Sequence, residues 1–345
     1  MVSYFMRKIL LISLLAWLPL TGLQATSIDI YTGEAMVESK DSGERRRALP
    51  RALKNVLQKF SGLGSFEDYP QVEPALGVAS SILVSIYYRN VEIVFADGSE
   101  GEELRLVAKF SENSVDELVR TLQLPIWQTE RDQTDIWVVV DDGQNRRIMP
   151  VEFAYTWSAM ADVAATRGLP VNWPEADEEG RYLIDAQLLW GGYTEDLGIG
   201  HGSSAMIVAA RREGLEWSVR SNLTYGSENW TWRLQDIDLQ AALTQSMQEA
   251  IDLIATAHSI AAADLGAQVH ELTVAGLGGA GDYQRCLGYL QQISVVNQVS
   301  VISAQPGNVT FRLELNALPQ YLEETLLSGR FLEFDEDELS YFLLQ

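Results

Sequence analysis

The order of apolar patterns in residues 268–334 limits the fold of this chain more than any other feature of the sequence. Four segments have the composition of strands and two have helical spacing, in the order βαββαβ: 269–275, 283–293, 295–303, 309–315, 319–327 and 331–334. This order is typical of a ferredoxin-like unit. We therefore predict an α+β chain of several mixed layers, with a ferredoxin-like unit over 268–334 and an acidic C-terminal tail over 335–345.

Two further units precede this one. Residues 26–127 predict an N-terminal α+β domain, in which a capping-box spacing of Asp41 and Glu44 opens a helix and Ser61-Gly62 ends it. A polar stretch then leads to a central mixed α/β domain over 135–265. Its all-apolar run 136–140 predicts a buried strand. Its later period-2 segments predict an antiparallel hairpin, with Trp217, Tyr225, Trp230 and Trp232 on the core face rather than stacked on a ligand.

The first 25 residues indicate where in the cell the protein is located, not how it folds. Arg7 and Lys8 precede an apolar run, and the small residue Ala25 offers a cleavage position, which together are typical of a secretory signal peptide. The run from 9 to 20 is shorter than the roughly 20 residues that a bilayer crossing needs. We expect export to the periplasm, and the alternative is an uncleaved anchor that tethers the protein to the membrane.

The charge of the chain narrows the class of partner. The formal net charge is −23, and an acidic field of this size repels nucleic-acid phosphates, so nucleic-acid binding is not expected. Cys286 is the only cysteine, which excludes an intramolecular disulfide, and its apolar helical neighbours predict a buried thiol.

Six of the 25 Lys and Arg residues nevertheless lie between positions 45 and 59. We call them the α1 stripe: Arg45, Arg46, Arg47, Arg51, Lys54 and Lys59. They are candidates for binding an anionic partner, such as an envelope protein or another anionic macromolecule. The alternative is that they cover the outer face of a helix and pair with carboxylates of the same chain.

No other motif predicts chemistry. Residues 276–281 match G-x-G-x-x-G, but Asp282 places a carboxylate where a phosphate would lie and the next strands predict antiparallel pairing, so a loop is the better interpretation. The histidines lack metal-ligand spacing, and the acidic groups at 141–142 and 175–179 lack a calcium-loop order. We predict no catalytic residue, cofactor or metal. The histidines are His201, His258 and His270.

Three patches of sequence, taken in order, resemble a known family. They are residues 44–62, residues 106–110 with 124–127, and residues 135–142 with 167–170. They are similar to domain of unknown function 2066, a bacterial envelope family. The resemblance implies an exported protein of Gram-negative bacteria, and it carries no catalytic residue to this chain. Part of the central domain is also similar to envelope domains that act as assembly factors.

The sequence therefore favours an exported envelope protein that acts as a non-enzymatic binding or assembly module. The alternative from another class is a periplasmic hydrolase or ligand-binding enzyme whose site is assembled between domains.

Overall fold

The computed structural model describes residues 28–177, 179, 181–182, 184–192, 204–328, 331–335 and 340–344. The predicted signal peptide lies outside these residues. None of the helices in the described part of the chain combines the length and hydropathy that a membrane crossing requires. The chain is an α+β protein built from several mixed sheets and helical layers, as the sequence predicts.

The first unit is a three-stranded antiparallel sheet covered by one long helix. Its elements are β1 (Thr32–Met36), α1 (Ser42–Ser61), α2 (Val72–Ala75), β2 (Leu83–Val94), β3 (Glu100–Phe110), α3 (Glu112–Leu122) and β4 (Ile126–Trp127). Three of these strands pair in the order β1-β3-β2. The side chain of Asp41 accepts bonds from the amides of Gly43 and Glu44, and α1 ends at Gly62 with a φ of 70°. These are the helix boundaries that the sequence predicts.

The second unit is a sheet with helices on both faces. Its elements are β5 (Thr134–Asp141), β6 (Arg146–Ile148), α4 (Ala154–Arg167), β7 (Val171–Asn172), α5 (Ala186–Gly191), β8 (Ser204–Glu213), β9 (Glu216–Tyr225), β10 (Glu228–Asp236), α6 (Leu239–His258) and β11 (Ser259–Ile260). The strand order is β10-β9-β8-β5-β6, and only β7 and β8 run parallel to β5. Helices α4 and α6 pack on one face and α5 on the other, which explains the uninterrupted apolar run in β5.

The third unit contains the predicted elements but arranges them differently. They are β12 (Leu265–Leu277), α7 (Ala280–Gln292), β13 (Val296–Gln305), β14 (Gly307–Ala317), α8 (Pro319–Ser328), β15 (Leu332–Asp335) and β16 (Ser340–Leu343). The strand order is β13-β14-β12-β16-β15, and β16 runs parallel to β12. The last strand thus separates β15 from β12, and the ferredoxin-like arrangement is not confirmed. Residues 340–343 also form a strand where the sequence predicts a tail, because Ser340 and Tyr341 are buried.

The three units meet around two consecutive residues of β4. The side chain of Ile126 packs against the cores of both the first and the third unit, whereas Trp127 is 1% exposed within the core of the second. The backbone of the same two residues pairs with β11, the strand that leads into the third unit. The end of the first unit is therefore shared by all three hydrophobic cores.

A buried arginine completes this junction. Arg131 is 1% exposed, and its guanidinium lies 3.7 Å from the centre of the Trp127 ring. It donates to the carbonyl oxygens of Gly168 and Lys59 at 2.6 Å each, and to that of Trp127 at 3.1 Å. Burial lowers the pKa of Arg131 to about 9, so the group remains protonated at neutral pH. One cation thereby joins the C-terminal ends of α1 and α4, where helix carbonyls attract positive charge.

Arg167 reinforces the same contact from the end of α4. It is 3% exposed and donates to the carbonyl of Gly62 and, at 2.6 Å, to the carboxylate of Asp252 on α6. We call Trp127, Arg131, Arg167, Gly62 and Gly168 the junction cluster.

Candidate functional site: an arginine face on the central sheet

The structure uses most of the α1 stripe within the first unit. Arg47 and Arg51 donate to Glu44 at 2.6 and 3.1 Å, and Lys54 pairs with Glu73. The ammonium of Lys59 donates to the carbonyl of Thr32 at 2.9 Å, and burial lowers the pKa of Lys59.

Arg45 and Arg46 are exposed, and neither guanidinium makes a hydrogen bond to any residue that the structure describes. The arrangement thus favours the interpretation in which the stripe pairs with its own chain. Its role in binding a partner stays a prediction.

A second set of cations lies on the central sheet, where the sequence does not group them. We call it the arginine face, and it consists of Arg146 of β6, Arg211 of β8, Arg220 of β9 and Arg233 of β10. Side chains alternate between the two faces of a strand. Arg211 therefore shares a face with Ile207, which packs beside α5. Cross-strand pairing places Arg233 opposite Arg220, and Asp141 between Arg211 and Arg146.

The half of this face beside α5 is built around one indole ring. The guanidinium carbons of Arg146 and Arg211 lie 4.5 and 5.0 Å from the centre of the Trp190 ring. The carboxylate of Asp141 accepts from Arg146 at 3.0 Å and from Arg211 at 3.4 Å. The hydrogen bond from Arg146 holds the pKa of Asp141 below its usual range. The aromatic ring and the carboxylate thus fix two arginine side chains in place.

In the other half, the described residues supply no carboxylate to compensate the two arginine charges. Arg220 and Arg233 lie directly opposite each other, and no carboxylate of the described residues is within ion-pair distance of either. Arg220 donates to the carbonyl of Trp190, but its Nε has no partner among the residues that the structure describes. Burial is the main cause that lowers the pKa of Arg220, and the positive charge of Arg233 is the second. Like charges directly opposite on a sheet destabilise it, so the Arg220–Arg233 contact by itself opposes the fold.

The neighbours of this pair are polar but mostly uncharged. Asn222 and Thr231 occupy the next cross-strand position, where the amide of Asn222 donates to the hydroxyl of Thr231 at 3.1 Å. Glu213 at the end of β8 and Glu216 at the start of β9 lie outside ion-pair distance of all four arginines. The surroundings of Arg220 and Arg233 therefore offer hydrogen bonds without cancelling the positive charge.

The aromatic residues of the β9–β10 hairpin point to the opposite face, as predicted. Trp217 and Tyr225 are 8% and 6% exposed in the central core, and Trp230 and Trp232 pack against it. The core-face interpretation is confirmed. Burial of these aromatic side chains leaves the polar positions of the hairpin on the arginine face.

A signal for this site was present in the sequence. The polar positions that alternate with the aromatic residues include two arginines and one acidic residue, Glu216 at the start of β9. The others are Ser218, Arg220, Asn222, Thr224, Asn229, Thr231, Arg233 and Gln235. A tight turn at Gly226, which has a φ of 58°, aligns Arg220 with Arg233. Arg146 and Arg211 could not be added, because their positions depend on long-range pairing.

The remaining sequence candidates are not brought together. The carboxylate of Asp282 accepts from the amide of Gly278 at 3.0 Å and so occupies the start of α7, and β12 pairs antiparallel with β14. Both observations favour the loop interpretation over a nucleotide site. His258 contacts the ring of Tyr225, and His270 lies in β12 of the third unit.

His201 and Glu178 lie outside the described residues. Within those that are described, no three metal-ligating side chains cluster. Cys286 is buried, as predicted, and burial raises the pKa of its thiol to about 11.

Comparison with known proteins assigns a class to the first unit only. Residues 25–128 match a family model described as a domain of unknown function (DUF8605), and this segment covers β1 to β4. The family differs from domain of unknown function 2066, to which the sequence patches point. No curated protein and no solved structure matches the chain significantly. The matched segment is thus a domain of unknown function, and the arginine face lies outside it.

Proposed function

We propose that this chain is an exported protein of the cell envelope that binds an anionic partner through the arginine face. It acts as a binding or assembly module rather than as an enzyme. The observation that carries the proposal is the facing pair Arg220 and Arg233, which has no carboxylate partner in the described residues of a chain whose net charge is −23. A cationic site in an acidic protein selects an anionic partner by local contact, because the overall field repels it.

The envelope location has a separate basis. The signal peptide predicted for residues 1–25 supports export. Fractionation of cells that express the full chain, with mass spectrometry of the N-terminus, tests this part. We expect a periplasmic product that begins at Thr26. An intact leader in the membrane fraction indicates a tether, and an intact leader in the cytosol contradicts export.

Two charge-reversal variants test the binding site. Arg220→Glu/Arg233→Glu changes the arginine face, and Arg45→Glu/Arg46→Glu changes the exposed end of the α1 stripe by the same charge. Both are compared with the unchanged chain by crosslinking in cells and quantitative mass spectrometry. We expect the first variant to lose crosslinked partners and the second to retain them. The opposite result assigns binding to the α1 stripe and contradicts the proposal.

A further inference from the structure

The arginine face continues to an open sheet edge. Strand β10 is the terminal strand of the central sheet, and it pairs with β9 over nine consecutive residue pairs without a register shift. In the part of the chain that the structure describes, the backbone of 228–236 makes no hydrogen bond outside this pairing. An edge strand of this kind presents a row of unused N–H and C=O groups.

The edge lacks several of the features that usually prevent strand addition. Bulges, prolines, charged side chains, especially lysines, and short length protect edge strands, and of these β10 has only the charged residues Glu228, Arg233 and Asp236. Strand β13, at an edge of the C-terminal sheet, has two register shifts, and β6, at the other edge of the central sheet, has three residues. Strand β10 has nine residues, neither proline nor lysine, and a regular pairing.

The two sides of β10 differ in chemistry. Arg233 projects toward the arginine face between Thr231 and Gln235, whereas the half-buried Trp230 and Trp232 project toward the central core. A strand added beside β10 would place alternate side chains next to the arginines and the others next to the indoles.

We infer that β10 receives an extended segment of a partner protein, which adds to the central sheet as a further strand and carries acidic residues at alternate positions beside Arg233, with Arg220 on the next strand inward. This inference rests on the proposed function and specifies its partner. The unpaired backbone favours a peptide over other anions, because a phosphate or a lipid headgroup would use the arginines but not the edge.

A defined peptide tests both parts of the inference. The probe is a fluorescent peptide in which Glu alternates with Val and Thr. One control peptide has the same composition with all Glu residues in one block, and another has alternate backbone amides methylated along one edge. Inorganic phosphate and phosphatidylglycerol vesicles serve as competitors. We expect the alternating peptide to bind the full chain at least tenfold more tightly than either control peptide, and neither competitor to displace it at equal charge concentration.

Two variants and one further measurement locate the contact. Arg233→Glu, at an exposed position, should weaken binding of the alternating peptide at least tenfold, and Arg312→Glu on β14 should not change it. Hydrogen exchange should slow at alternate amides of 228–236 when the peptide binds.

If the block peptide binds equally well and Arg233→Glu abolishes its binding, strand addition is wrong while anion binding stands. If no peptide responds to Arg233→Glu, both proposals fail.

Discussion

Arginine has a different role in the junction cluster from its role in the arginine face. Arg131 is 1% exposed, and carbonyl oxygens at the ends of two helices accept its N–H groups. Arg233 is exposed on an edge strand, and its nearest cross-strand neighbour is another cation. A cation whose donors are satisfied inside the molecule contributes to the fold. A cation that has no carboxylate partner among the described residues, as is the case for Arg233, is one that a partner protein could pair with.

The largest expected effect comes from removing the buried cation. Arg131→Met keeps an apolar stem about as long as the arginine side chain up to Nε, but it leaves the carbonyl groups of Lys59, Trp127 and Gly168 without their donor. Each buried acceptor without a partner costs about 1–3 kcal/mol, so we expect the free energy of unfolding to fall by about 3 kcal/mol or more. Urea denaturation followed by tryptophan fluorescence measures it. The control is Arg45→Met, at an exposed position, which should leave the free energy of unfolding unchanged. A loss below about 1 kcal/mol would show that water replaces the guanidinium.

The next largest loss of stability is expected from adding a methyl group to the closely packed junction cluster. Gly62 has a φ of +70°, and a methyl group there would clash with Cβ of Ala255 and lie 2.9 Å from the Trp127 ring. Gly214 has a φ of +68° with open space around it, which makes it a matched control. We expect Gly214→Ala to cost about 1–2 kcal/mol from backbone strain alone. Gly62→Ala should cost about 1–3 kcal/mol more from overpacking. Equal shifts in the urea midpoints of the two variants would contradict tight packing.

The stability of the protein at alkaline pH tests whether the Cys286 thiol is buried in the third unit. Burial raises the pKa of the Cys286 thiol from 9.0 to about 11, so the folded chain holds this proton more tightly than the unfolded chain does. The resulting stabilisation is complete below pH 9 and is lost as the pH rises through about 11. Stability should therefore fall between these pH values, and less steeply in Cys286→Ala. Tyr289, whose pKa burial raises to about 12, titrates in both proteins. Parallel pH profiles would show that the thiol is hydrated.

The sequence predicted local structure well and long-range placement poorly. The caps of α1, the buried run of β5 and the inward aromatic residues of β9 and β10 follow from spacing alone. The partners of Arg131 do not, because Lys59 and Gly168 approach it only when α1 and α4 pack together. The sequence did not predict strand β16 for a different reason. The acidic residues at 335–338 dominate the composition of the C-terminal segment, whereas burial of Tyr341 decides its structure.

A substitution in the arginine face should have the smallest effect on the free energy of unfolding, and it should stabilise the chain rather than destabilise it. Arg233→Gln removes one of two like charges that lie directly opposite, and relief of such a contact is worth about 0.2–1 kcal/mol. The unfolding free energy should therefore stay constant or rise slightly, and salt should abolish the gain because it screens exposed charges. Arg312→Gln is the matched control. Arg312 is a half-exposed strand residue that lies opposite Glu271, with 3.6 Å between their charged atoms.

Loss of that pair should lower stability by no more than about 1 kcal/mol. Urea titrations of both variants at low and high salt measure the two signs. If Arg233→Gln destabilises the chain as Arg131→Met does, then Arg233 belongs to the fold, and the distinction between the two arginine clusters no longer holds.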